Sequence, residues 1–101
     1  MDYIFEVIEK TGRKIKLSSK TWKHIKKHPH MDENRLEEIK MIVKNPQIMR
    51  YSEYDSNTLY FYKEFKDMRS EERYLFISVK YLNGNGFIIT SFFTNKVTGL
   101  K

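Results

Sequence analysis

His24 and His28 stand four residues apart in Ser19-Lys-Thr-Trp-Lys-His-Ile-Lys-Lys-His-Pro-His30, a segment that holds every histidine of the chain. Four residues make about one helical turn, so this spacing predicts two imidazoles projecting side by side. Imidazole is the side chain whose ordinary pKa lets it give and take a proton near neutral pH. From Lys10 to Met31 there are eight Lys and Arg and no Asp or Glu, so that stretch carries +8 and the rest of the chain sums to −2. Proton transfer on an anionic substrate is the chemistry this setting favours.

Two other readings of the same residues stay open. The histidines can fill the boundary of a helix and hydrogen-bond a strand carbonyl. They can also bind zinc, with His30 as a further ligand. The zincin pattern, however, needs a Glu beside the first His, where this chain has Ile25, and the flanking lysines repel a dication. No metal and no cofactor is expected.

The remaining parts of a site for an anion must come from elsewhere. Alternation along Phe87-Ile-Ile-Thr-Ser-Phe-Phe-Thr-Asn-Lys96 places Thr90 and Thr94 on one strand face and Ser91 on the other. Their hydroxyls can hold a phosphate oxygen, although threonine is also an ordinary strand residue. Arg73 and Lys96, at strand ends, can neutralise a phosphate or stand as rim charges. Lys20, Lys23 and Lys27 fall on the helix side opposite Trp22, Ile25 and Pro29, with His24 and His28 between the two sides. Tyr60 and Tyr62 share a strand face. Rings on an open sheet face stack on unpaired bases, and rings in a core keep only a polar tip at water.

One small domain, residues 1–101, has to position all of these groups. The aromatic fraction of 15% and the periodic apolar runs favour a folded chain even though 32% of residues are charged. With no cysteine, disulfides and thiol nucleophiles are excluded, which fits a reducing compartment. No apolar run reaches the roughly 20 residues of a membrane span, and a cytoplasmic, soluble protein is expected.

Strands are expected over 3–9 and 14–17, joined through Gly12. A helix over 20–28, capped by Ser18 or Ser19, should stop at Pro29. A second helix should run from an N-cap at Asp32 to about Lys44, with Leu36, Ile39, Ile42 and Val43 as its apolar stripe. Strands follow over 48–52, 58–65, 73–82 and 87–94, with turns at Asp55-Ser-Asn57 and at Asn83-Gly-Asn-Gly86. The expected fold is α+β: an N-terminal hairpin and two helices packed on one face of an antiparallel sheet of about four strands, leaving the other face free.

Taken together, the segment Thr21 to Met31, the helix ending in Lys44-Asn-Pro46, the tyrosines Tyr60 and Tyr62 and the closing Ile89-Thr-Ser-Phe-Phe-Thr94 resemble the phage-associated nucleases of the barnase, EndoU, colicin and RelE superfamily. The resemblance spans about residues 15 to 98. It implies helices on a four-stranded antiparallel sheet and metal-independent RNA cleavage, often as a toxin. The implied chemistry is attack of a ribose 2′-hydroxyl on the adjacent phosphate. Its acid and base fall on His24 and His28 and its hydroxyl on Thr90 or Thr94, while the cationic groups such chemistry needs are expected from Arg73 or Lys96 at the strand ends. RNA is the implied partner, and the lysines Lys20, Lys23, Lys27 and Lys96 and the rings of Tyr60 and Tyr62 are the contacts expected from charge and strand face. An acidic antitoxin or immunity-type protein is a further implied partner. In one departure, His30 stands where an acidic residue is expected after His-Pro. A non-catalytic RNA-binding or protein-interaction domain using the basic segment is the alternative.

Overall fold

Asn83 and Gly84 have φ of 54° and 82°, the backbone a tight hairpin turn requires and that Asn and Gly tolerate best. They join β5 (Tyr74–Leu82) to β6 (Asn85–Thr94), the longest antiparallel pair of the chain. β4 (Thr58–Glu64) and β3 (Ile48–Tyr51) continue this meander outward, each antiparallel to its neighbour. The computed structural model describes residues 2–101. Among them no helix is long and apolar enough to cross a membrane.

The expectation of about four antiparallel strands needs correction. β1 (Tyr3–Ile8) and β2 (Lys14–Ser18) form the expected hairpin, but β2 also lies parallel to β6, with Lys14 opposite Asn85 and Lys16 opposite Phe87. The result is one mixed six-stranded sheet in the order β1-β2-β6-β5-β4-β3. Short connections point to antiparallel neighbours. The β2–β6 pair has no short connection, because everything between Ser18 and Asn85 forms its crossover.

Two helices cover one face. Ser18 caps α1 (Ser19–Ile25), its hydroxyl accepting from the Thr21 N–H at 3.1 Å. The helix stops three residues earlier than the sequence suggests. Lys27 and His28 donate to His24 and Ile25, three residues back, in a tightened final turn. Pro29 explains this, since the residue before a proline avoids the α region. The second helix, α2 (Arg35–Lys44), also starts late. The carboxylate of Asp32 is spent on the Asn34 N–H, 3.0 Å away, in the turn that precedes the helix.

Trp22, Ile25, Ile39, Ile42 and Val43 of the helices meet Ile15, Leu17, Phe61, Leu75, Ile77 and Val79 of the sheet in a dry core. Leu36 packs against its edge, which completes the expected apolar stripe of α2. Complete burial of each aliphatic side chain contributes about 1.5–3 kcal/mol before entropy is charged against it.

A bulge sets what the opposite face carries. Val79 pairs with Ile88 and Ser78 with Thr90, so Ile89 is the extra residue, 52% exposed. Strict alternation from the buried Ile88 would turn Thr90 and Thr94 into the core. The bulge reverses the phase, placing Thr90, Phe92 and Thr94 on the outer face and Ser91 in the core, where its hydroxyl donates to the Phe76 carbonyl at 2.8 Å.

Candidate functional site

The outer face is a row of rings. Phe92 on β6 lies 4.9 Å from Phe76 on β5, which lies 5.1 Å from Tyr60 and 5.3 Å from Tyr62 on β4. Cross-strand pairing of Tyr60 with Ser78 and of Tyr62 with Phe76 puts the two tyrosines on one face, as their spacing predicts.

His28 joins this row at its β6 end, its ring 5.4 Å from that of Phe92. Because α1 ends at Ile25, the expected helical stack of His24 on His28 does not form. His24 stays on the helix, exposed, its imidazole with no hydrogen bond, ion pair or ring contact among the described residues. His28 lies beyond the helix, half-buried, at the edge of the outer face. Thr90 and Thr94 flank its partner Phe92 at two residues on either side, so about 7 Å of strand separates each of them from the residue His28 touches. The structure therefore brings His28, Thr90 and Thr94 to one face and leaves His24 apart.

His30 serves elsewhere. Its φ is 66°, its Nε2 lies 2.8 Å from Glu72 Oε2, and its carbonyl accepts from Arg35 Nε at 2.9 Å. Its ring meets Phe93, which points to the opposite side from Phe92. The His28-Pro29-His30 turn thus straddles β6, one imidazole to each face. Among the described residues no three His, Cys, Asp or Glu gather as ligands for a metal ion.

The cations divide into engaged and free. Arg73 Nε is 2.5 Å from Glu64 Oε2, so its charge is already matched. Lys80, also on the outer face, is 2.9 Å from Asp55. The hydrogen bond from Lys80, the Asn57 N–H and the Thr58 hydroxyl hold the Asp55 carboxyl well down, to about 2. Lys20, Lys23, Lys27 and Lys96 are exposed and have no carboxylate within salt-bridge distance among the described residues. The Lys96 N–H donates to the Thr94 hydroxyl at 3.4 Å.

Tyr62 does not present an open ring. It is 1% exposed, and its hydroxyl is bound by Thr98, accepting from the N–H at 3.1 Å and lying 3.3 Å from the carbonyl oxygen. Residues 95–101 leave β6, run over the outer face and reach β3, where Leu100 and Tyr51 exchange two backbone hydrogen bonds of 2.7 Å. Base stacking on Tyr62 is possible only when this segment moves.

Sequence reasoning missed one polar cluster. Glu9 is 3% exposed and accepts from the Tyr81 hydroxyl at 2.6 Å, from the Arg13 N–H at 3.0 Å and from the Thr11 hydroxyl. Arg13 lies 3.7 Å over the Tyr81 ring. Burial pushes the Glu9 carboxyl up, but the hydrogen bonds from Thr11, Tyr81 and Arg13 outweigh it and hold the group below its ordinary value. Burial first, and the Glu9 carboxylate second, raise the Tyr81 phenol. The signal was present in β1: Glu9 falls in phase with the core-facing Phe5 and Val7. The cluster locks the β1–β2 hairpin to β5, far from His28.

Comparison of the chain with protein-family models, with curated proteins and with solved structures gives no match.

Proposed function

We propose that this chain is a metal-independent endoribonuclease whose reaction takes place on the outer sheet face beside His28. The observation that carries this reading is the placement of a half-buried imidazole on the ring of Phe92, the residue that Thr90 and Thr94 flank along β6, beside the unpaired Lys20 and Lys23 of α1 and Lys27 just beyond it. In the reaction, the neutral His28 imidazole takes the proton of a ribose 2′-hydroxyl. That oxygen forms a bond to the adjacent phosphorus, and the bond from phosphorus to the 5′ oxygen breaks, the leaving oxygen taking a proton from water. Thr90 and Thr94 donate hydrogen bonds to the phosphate oxygens, and Lys27 and Lys96 supply positive charge. Arg73 joins them only when Glu64 releases it.

The lysines of α1 favour any polyanion, so attraction alone does not single out cleavage. The test is cleavage of an RNA panel in EDTA by the wild type, His28→Ala and His24→Ala. Loss of a general base costs roughly 10²–10⁴-fold, which is the expectation for His28→Ala, with less than about a threefold change for His24→Ala. Equal cutting by His28→Ala and the wild type would overturn the role of His28.

A further inference from the structure

We propose that residues 95–101 are a displaceable cover over the Tyr60–Tyr62–Phe76 part of the outer face, and that its release opens a stacking platform for single-stranded RNA. The proposal rests on assigning this face to RNA, and it adds a means of controlling access.

The cover lies where a base would lie. It takes up the Tyr62 hydroxyl through Thr98 and then passes Tyr60 at Gly99. Its hold is polar and shallow. Thr98 and Lys96 are exposed, Leu100, its largest apolar side chain, is 56% exposed, and Val97 is the one half-buried apolar side chain of the segment. Segments with few buried apolar contacts and solvent-accessible hydrogen bonds open most readily. Under the cover, by contrast, the Phe76 ring contacts those of Tyr60, Tyr62 and Phe92, so the platform keeps its shape when the cover leaves. A preformed row of rings is the chemistry that takes unpaired bases without regard to sequence.

Gly99 is the catch. Its φ is 96°, and a Cβ there would stand 2.7 Å from the Tyr51 carbonyl oxygen and 2.8 Å from Arg50 Cβ. Any side chain at this position forces the cover off its seat.

The experiment measures binding of a short fluorescein-labelled oligouridylate by anisotropy, in EDTA and in a His28→Ala background so that cutting does not interfere. Gly99→Val should bind at least about fivefold tighter, the small end of what one stacked base contributes, and Tyr60→Leu in that background should remove the gain. A second arm uses Tyr51→Cys with Leu100→Cys, placed at a hydrogen-bonded antiparallel pair whose Cα atoms stand about 5.5 Å apart, within reach of a disulfide. The chain has no other cysteine, so oxidation locks the cover alone. The oxidised form should bind at least about fivefold weaker than the reduced form of the same protein.

Equal affinity in the two redox forms would overturn the proposal, even if Gly99→Val fails to fold. A gain that survives Tyr60→Leu would overturn it as well. RNA binding that follows the redox state, with no cutting by the wild type, would leave the cover standing and remove the ribonuclease reading. His28-dependent cutting with redox-independent binding would do the reverse.

Discussion

The two faces of the sheet are made of different materials. Beneath the helices, Ile15, Leu75, Ile77 and Val79 are fully buried and carry no polar atom in their side chains. On the outer face, β4, β5 and β6 present Tyr60, Tyr62, Phe76, Ser78, Thr90 and Phe92, rings and hydroxyls that each have a use for a polar or stacking partner. Apart from Ser91 and the Glu9–Tyr81 pair, the inner face asks for shape, and two helices supply it. The outer face is closed by a seven-residue crossing held mainly by hydrogen bonds. Helix packing is therefore confined to one side of the sheet, and the buried rings of the other side are covered by a short segment of chain.

Substitutions can break this division. Leu75→Ala on the inner face should cost about 3–4 kcal/mol in urea unfolding and leave RNA affinity per folded molecule unchanged. A large loss of affinity would mean that the faces are not independent. Glu9→Gln should cost about 2 kcal/mol by weakening a buried set of hydrogen bonds, and it carries a pH signature. Because the fold lowers the Glu9 pKa, its contribution is complete above the unfolded value near 4.5 and fades as pH falls through the lower folded one. Unfolding measured across acid pH should accordingly show a shallower decline for Glu9→Gln than for the wild type.

Phe92→Ala should cost only about 1–2 kcal/mol, since the ring is half-buried, yet it should impair RNA cleavage nearly as much as His28→Ala by removing the surface on which the imidazole rests. Retained cleavage would place the reaction elsewhere. The smallest effect on the fold belongs to Lys20→Gln, Lys23→Gln and Lys27→Gln together. Their exposure predicts a stability change within about 0.5 kcal/mol, while the slope of RNA affinity against salt should fall by about 2.

Much of the inner face was legible because it is written in periods. The α2 stripe of Ile39, Ile42 and Val43 and the alternation along β5 are local patterns, and the Asn83-Gly84 turn announces its own backbone. The site was less legible because its geometry depends on interruptions. Three residues lost from α1 ahead of Pro29 separated His24 from His28, and one bulged isoleucine sent Thr90 and Thr94 outward in company with Phe92. Residues 95–101 show no period at all, so nothing local told of a segment folding back over Tyr62. The Glu9–Tyr81 contact spans 72 positions, beyond any window in which a sequence pattern is read.

The parallel pairing of β2 with β6 fixes an order of assembly. β3 to β6 can zip together through short turns, whereas Lys14 to Lys16 must wait for Asn85 to Phe87. During synthesis the β1–β2 hairpin leaves the ribosome ahead of β3 to β6, and its β2 edge stays unmatched until Asn85 to Phe87 follow. Such long-range closure slows folding. The +8 segment is accordingly made well before the row of rings from Tyr60 to Phe92 exists.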